Sequence, residues 1–202
     1  MKRKTTVRVL IAGFGLLFLC FLVLVFIYRP WALGWGSTDE EIARFMPGDQ
    51  VLEQPIFNAT RAVTIEATPE EIWPWIVQIG YRRAGFYSYD VLDNDGVPSA
   101  EVILPEYQRL RVGDTIPLSR SAHVRVIELE PPTSMVLVFE VSGTWSSATW
   151  VWGLYPEGES HTRLITRLRA NPTSNLSRLF LDFGEIIMMR KCMLGIKRRA
   201  EK

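Results

Sequence analysis

The sequence predicts an α+β fold: an antiparallel sheet followed by a long C-terminal helix, with a membrane-length helix in front of both. Three observations lead there. Val9 to Tyr28 is an apolar run without a single charge. Between Thr60 and Arg169, short alternating segments are separated by Gly, Pro, Asn and Asp, the pattern of successive strands and tight turns. From Ser174 to Arg199, apolar residues return every three or four positions, the spacing of one helix face.

At about 1.5 Å per residue the first run spans about 30 Å, the thickness of a hydrocarbon core. Lys2, Arg3, Lys4 and Arg8 precede it, and Trp31 and Trp35 follow it, where an interfacial aromatic belt lies. A buried core helix of this length rarely lacks charge. Ala32-Leu33-Gly34 is a passable small-residue cleavage site, which keeps a signal peptide open, although the run exceeds the usual apolar region of one. The reading taken is an uncleaved single-pass anchor in the cell membrane. The basic cluster puts the N-terminus in the cytoplasm and the globular part on the far side, against Arg29 and Arg44 on the other flank. The expected organisation is a basic tail at residues 1–8, the span at 9–28, a connector with a short helix at 29–58, and a ligand-binding domain at 59–202.

A formal net charge of +1 over 202 residues leaves no electrostatic footprint for nucleic acid. Cys20 lies in the apolar run and Cys192 in the helical pattern, so no internal staple forms and the fold rests on its core. Cys192 reads as an inert thiol. His123 and His161 stand without a Cys cluster or carboxylates at ligand spacing, so no metal site is expected. With no GxGxxG, P-loop or GxSxG motif, no cofactor is expected either.

Along the chain, Thr38 with Glu41, or Ser37 with Glu40, fits a capping box for a brief helix that Pro47-Gly48 ends. Residues 48–58 read as an extended lead-in. Val63 and Ile65 alternate with Thr64 and Glu66 as a strand. Thr68-Pro69-Glu70-Glu71 opens a helix that carries Ile72, Trp73, Ile76, Val77 and Ile79 and stops at Gly80. A short helix follows at Tyr89–Asp93, and Asn94-Asp95-Gly96 turns the chain. Strands are expected at 102–104, 115–118, 123–130, 135–141, 145–155 and 162–169, forming a meander. The last helix is expected to run unbroken, with Leu176, Leu179, Phe180, Phe183, Ile187 and Leu194 on one face. Arg178, Asp182, Glu185 and Lys191 mark much of the other.

The densest feature is Trp73 to Asn94, WPWIVQIGYRRAGFYSYDVLDN. Aromatics carry large apolar area with a polar tip, and this many beside Arg82, Arg83 and Asp90 read as the wall of a ligand cavity. The element order resembles the helix-grip fold, in which a curved sheet wraps the last helix and leaves an apolar cavity between them. Ala62-Val63-Thr64-Ile65 with Thr68-Pro69-Glu70-Glu71-Ile72-Trp73-Pro74-Trp75 resembles the opening of the START/Bet v 1-like (SRPBCC) superfamily, the polyketide cyclase/dehydrase and lipid transport group. Gln78-Ile79-Gly80, Arg83 to Asp90 and Leu92-Asp93-Asn94 look like a membrane-anchored bacterial branch of it. So do Leu104 to Gln108, Val112-Gly113-Asp114 and Met193 to Lys197. The resemblance covers about residues 37–201. It implies binding of lipids, sterols, polyketides or hormones, with cyclisation or dehydration in some members. It carries no catalytic signature.

The expected ligand contacts are Trp75, Arg83, Phe86, Tyr87, Tyr89, Asp90, Phe139, Trp150, Trp152 and Phe183. Asp90 and Tyr87 are the first candidates for acid–base chemistry, with Glu101, Glu106, Glu140 and Tyr89 behind them. Each has a plainer reading. Asp90 caps the short helix or pairs with Arg83, Glu106 anchors a loop, the tyrosines satisfy core hydrogen bonds, and Trp150 and Trp152 are sheet core. Three functions stay open: a membrane-anchored protein holding an apolar small molecule or lipid, a cyclase- or dehydratase-like enzyme, and an envelope interaction protein without a ligand.

Overall fold

The computed structural model describes residues 2–141 and 144–202, with side chains described for 10–139 and 148–202. The side chains of Lys2, Arg3, Lys4, Arg8, Val9 and Glu140, invoked above, fall outside these. Helix α1 (Lys2–Val23) continues through a π-helical turn at Leu24–Tyr28 into α2 (Arg29–Leu33). The widened turn lies beside Pro30, which has no N–H for the helical ladder. Leu10–Leu33 is long and apolar enough to cross a membrane. Helix α3 (Asp39–Ala43) uses Thr38 and Glu41 for its capping box: Thr38 N donates to Glu41 Oε2 at 2.8 Å and Glu41 N to Thr38 Oγ1 at 3.2 Å.

The sheet has six antiparallel strands: β1 (Phe57–Ile65), β2 (Thr115–Pro117), β3 (His123–Glu130), β4 (Ser134–Val141), β5 (Thr144–Pro156) and β6 (Thr162–Ala170). Their order is β1-β6-β5-β4-β3-β2. Register shifts at Val126/Glu128 and Val138/Glu140 interrupt the ladders, and such bulges bend a sheet. Helices α4 (Pro69–Val77) and α5 (Asp90–Asp93) fill the connection from β1 to β2, and α6 (Asn175–Phe183) and α7 (Glu185–Ala200) close the chain. This is the helix-grip arrangement.

Three expectations are corrected. The segment at 102–104 is not a strand. The Gln78 side chain takes its backbone groups instead, accepting from Leu104 N at 2.9 Å and donating to Val102 O at 3.2 Å. Strand β1 begins at Phe57, inside the expected lead-in, because Phe57 pairs with Ala170 and buries its ring in the core. The C-terminal helix is broken at Gly184 into α6 and α7. The break changes which face is inside. In α7, Ile186, Met189, Cys192, Met193 and Ile196 are buried, and so is Glu185. Leu176, Leu179, Phe180 and Ile187, expected to share one packing face, are all exposed.

The inner sheet face carries Phe57, Ile65, Met135, Leu137, Trp152, Leu154 and Leu164 against Ile72 and Ile76 of α4 and Met193 and Ile196 of α7. Helix α7 approaches the Tyr87 backbone closely because Gly195 has no side chain: a Cβ there would collide with Tyr87 O. The outer face carries Ala62, Val136, Val151 and Ile165 under Met46 of the connector. Arginines of β6 fasten that cover. Arg167 uses all five guanidinium donors, on Thr60 Oγ1, Arg44 O, Asp49 Oδ2, Glu41 O and Ile42 O, at 2.5–3.0 Å. Arg163 Nε pairs with Glu41 Oε1 at 2.6 Å, and Arg169 Nη1 with Asp49 Oδ1 at 2.8 Å.

One arginine points the other way. Arg61 of β1 is 1% exposed, donates Nε–H to Ala32 O at 2.8 Å, and sets Nη1 2.7 Å from Glu185 Oε2 at the start of α7. Removing one partner of a buried pair strands the other charge, which costs about 3–5 kcal/mol, whereas replacing both with apolar groups is often neutral. Arg61→Met or Glu185→Met alone is therefore expected to lose about 3 kcal/mol or more in denaturant unfolding, and the double substitution to recover most of that loss. Losses that simply add in the double variant would contradict the pairing.

Candidate functional site

Between the inner sheet face and helices α6 and α7 lies a cavity of about 640 Å³. Side-chain alternation builds its sheet wall: Ala148 and Trp150 from β5, Leu168 and Ala170 from β6, and Phe139 from β4. Helical spacing builds the opposite wall, with Glu185, Met188, Met189 and Cys192 on one face of α7. Ser177, Phe180 and Leu181 of α6, the Asn171-Pro172-Thr173 segment before it, and Phe86, Ser88, Asp93 and Leu118 complete it.

The aromatic segment reaches the cavity through a strained loop. Arg82 and Tyr87 adopt left-handed backbone at φ 59° and 57°, where non-glycine residues are uncommon. Gly80 N and O bond to Gly85 O and N at 3.0 and 3.1 Å and close the loop. Ser88 Oγ donates to Met188 O at 3.1 Å, clamping it to α7. The ring of Trp150 is fixed by its Nε1–H on Thr166 Oγ1 at 2.9 Å and by Trp152, whose centroid is 5.0 Å away.

Two acidic residues stand in the wall of this mostly apolar space with their carboxyl oxygens buried behind its surface. Asp93 is 8% exposed. Burial, followed by the charge of Asp90, pushes its carboxyl up to about 6, against the Ser88 hydroxyl and nearby backbone N–H groups. Neither Asp93 oxygen completes a hydrogen bond with any described group. Burial also raises the Glu185 carboxyl, and Arg61 opposes the rise. Glu185 Oε2 takes the Arg61 contact, while Oε1 has no partner among the described residues. Burial first, then Asp93 and Glu185, pushes the Cys192 thiol up, so it stays protonated and unreactive. Among the described residues no three His, Cys, Asp or Glu are grouped to hold a metal ion.

Of the residues expected to contact a ligand, Phe86, Phe139 and Trp150 line the cavity. The others lie elsewhere. Trp75 packs edge-on against Tyr87 with centroids 6.0 Å apart. Tyr87 donates its hydroxyl to Trp75 O at 3.0 Å, accepts from Gln78 Nε2 at 2.8 Å, and lies under Arg199. Burial raises its phenol. Arg83 donates to Val77 O at 2.9 Å and stacks over Tyr107. Tyr89 is partly exposed beneath Lys191. Asp90 opens α5 and accepts from Ser99 Oγ. Trp152 is core, and Phe183 stacks on Tyr28 at 6.1 Å. Glu101 pairs with Arg199, Arg198 and Lys202.

Sequence reasoning passed over Asp93, Glu185, Met188 and Met189. Asp93 stood inside the aromatic segment but read as a helix end. Glu185 read as a solvated position, and its sevenfold spacing to Cys192 was the signal that both share a face.

No protein-family model matches the chain, and no curated protein does. Among solved structures it is similar to protein Ms6760 from Mycobacterium smegmatis, at 16% identity and TM-score 0.47, over 70% of this chain and 88% of that one. It is also similar to PFC0360w, an HSP90 activator from Plasmodium falciparum, at 18% identity and TM-score 0.42, over 70% and 88%. CalU16 from Micromonospora echinospora matches at 16% identity and TM-score 0.38, over 71% and 83%. At these identities and scores the likeness says nothing of activity.

Asp93 gives the site a pH signature. Its carboxyl titrates at about 6 in the fold, against an ordinary value of 3.8. Between those values the folded state holds more protons than the unfolded one, so stability falls as pH rises through the window. Asp93→Asn removes that slope. Its melting temperature relative to wild type is expected to climb from the low to the high end of the window and then level off. A constant difference across the window would contradict the assignment.

Proposed function

We propose that this chain is a membrane-anchored binding protein that holds an apolar small molecule or lipid in the cavity of its helix-grip domain. The carrying observation is the cavity itself. At about 640 Å³ it falls within the range of small-molecule sites, roughly 300–1,000 Å³. Its walls are mainly aromatic, aliphatic and thioether groups, whose burial against a greasy ligand contributes about 25 cal/mol per Å². A cavity of this size favours the ligand reading over a ligand-free interaction protein.

In this proposal residues 9–28 span the membrane, 29–58 connect, and 59–202 form the binding domain beyond the bilayer, with the N-terminus cytoplasmic. Retention of the helix, rather than its removal as a signal peptide, is supported by its seat on the domain. Tyr28 Oη donates to Phe183 O at 2.8 Å, Arg29 pairs with Asp182 at 2.9 Å, and Ala32 O accepts from Arg61. Cleavage after Ala32 or Gly34 would strip these contacts away. Membership of the START/Bet v 1-like superfamily, in a membrane-anchored branch, fits the same picture.

The polar groups narrow the ligand class. Asp93 and Glu185 stand in the cavity wall with their carboxyl oxygens just behind its surface, Glu185 paired with Arg61 and Asp93 without a completed hydrogen bond. An anionic head group would be repelled by the Asp93 charge, whereas a hydroxyl, amide or amine donates to that carboxyl once its side chain turns toward the ligand. The preferred occupant is thus an apolar molecule with a neutral or cationic hydrogen-bond-donating end. One observation supports a second reading as a cyclase- or dehydratase-like enzyme: Asp93 titrates at about 6, in the range where a carboxyl serves as general acid or base.

The test is solvent extraction and mass spectrometry of the full chain isolated from its own host in lipid nanodiscs. Wild type is expected to yield one non-lipid-matrix molecule at near 1:1, and Ala148→Trp, which fills the cavity, to yield none. A wild type as empty as the filled variant would overturn the binding reading. Incubation that converts the molecule into a second species would favour the enzyme.

A further inference from the structure

Helix α6 leaves most of its large apolar side chains outside the globular domain. A surface helix ordinarily buries its apolar stripe and shows its polar one. Here Leu176 is 77% exposed, Leu179 56% and Phe180 51%, and Ile187 just beyond the break is 53% exposed. Asp182, on the same helix, is buried. The helix is well made, with a capping box in which Ser174 and Ser177 exchange bonds, so the outward face belongs to an ordered element.

The neighbour of this face identifies its cover. The C-terminal end of α6 packs on the last residues of the apolar run: Tyr28 bonds and stacks to Phe183, and Arg29 pairs with Asp182. Tyr28 ends the uncharged run and Arg29 is the first charge after it, so this contact marks the depth at which hydrocarbon gives way to head groups. A short helix held at that depth with aliphatic and aromatic residues outward has the character of an interfacial helix. Phe180 adds a functional element, because it is half exposed and also lines the cavity. At Phe180 the cavity wall and the molecular surface are the same residue.

We infer that α6 docks on the bilayer in which the chain is anchored, with Leu176, Leu179, Phe180 and Ile187 toward the acyl chains, so that the cavity opens onto lipid at Phe180. The occupant of this face is the membrane, not a second copy or a soluble partner. Ligand then enters sideways from the bilayer, past Phe180, without crossing water. The inference rests on the reading of the N-terminal helix as an uncleaved anchor, but not on the identity of any ligand.

The test places single nitroxide labels on the full chain in nanodiscs, in a Cys20→Ser background with the buried Cys192 retained. The sites are Leu17→Cys in the span, Leu176→Cys and Leu179→Cys on α6, and Glu159→Cys in an exposed turn. Relative accessibility to oxygen and to a water-soluble nickel chelate reports depth. Leu17 is expected deepest, Leu176 and Leu179 at the interface and shielded from nickel, and Glu159 in water. If Leu17 is in lipid while Leu176 and Leu179 match Glu159, docking is wrong and the anchor stands. If Leu17 is also aqueous, anchor and docking fall together. Spin–spin broadening at Leu179, diluted away by unlabelled protein, would make the face a contact between copies and overturn the inference.

Discussion

An arginine on the inner face of an edge strand is the constraint around which this molecule is arranged. A charge buried there needs a charged and hydrogen-bonding partner, and Arg61 finds two: the carboxylate of Glu185 and the carbonyl of Ala32. The first contact fixes where α7 begins on the sheet. The second fixes where the apolar N-terminal helix ends. With α7 starting at Glu185, the preceding Gly184 becomes the corner, and α6 lies off the sheet. The cavity is the space that this corner leaves between sheet and helix.

A cavity of that size removes packing from the centre of a modest domain, and the outer sheet face compensates with a second layer. Met46 closes a small apolar cluster there, and Arg163, Arg167 and Arg169 tie the connector down through Glu41 and Asp49. Residues between the apolar N-terminal helix and the sheet therefore act as part of the fold. Their attachment also limits how far that helix can swing from the sheet.

Much of the architecture was legible because it rests on local rules. Thr68 and Glu71 announce α4 by their capping box, Trp150, Trp152 and Leu154 announce the inner face of β5 by alternation, and the element order announces the fold. The cavity was legible as a consequence of that fold, and Phe86, Phe139 and Trp150 were within reach of the same reasoning. What was not legible depends on long-range pairing. Nothing near position 61 says that its arginine will need position 185, and without that pair Glu185 reads as a solvated helix residue. The outward face of α6 has the same cause: periodicity shows that Leu176, Leu179 and Phe180 lie together, and only the break at Gly184 shows which way they point. The aromatic segment misled in a different way. Tyr87 and Trp75 are conspicuous, yet the Tyr87 hydroxyl is consumed by the Trp75 backbone carbonyl and by Gln78, and the two rings pack edge-on against each other.

In the proposed function, an apolar cavity with buried carboxyls in its wall takes a hydrogen-bond-donating head and refuses an anionic one. Displacement of a fluorescent probe from the full chain in nanodiscs, corrected against empty nanodiscs, compares decanol, decylamine and decanoate, which share one tail length. At about pH 8 decanoate is fully ionised and so is Asp93. Decanol and decylamine are expected to displace the probe, with decanoate weaker by about tenfold or more, a difference of about 1.4 kcal/mol. Decanoate binding as well as decanol would contradict this head-group preference.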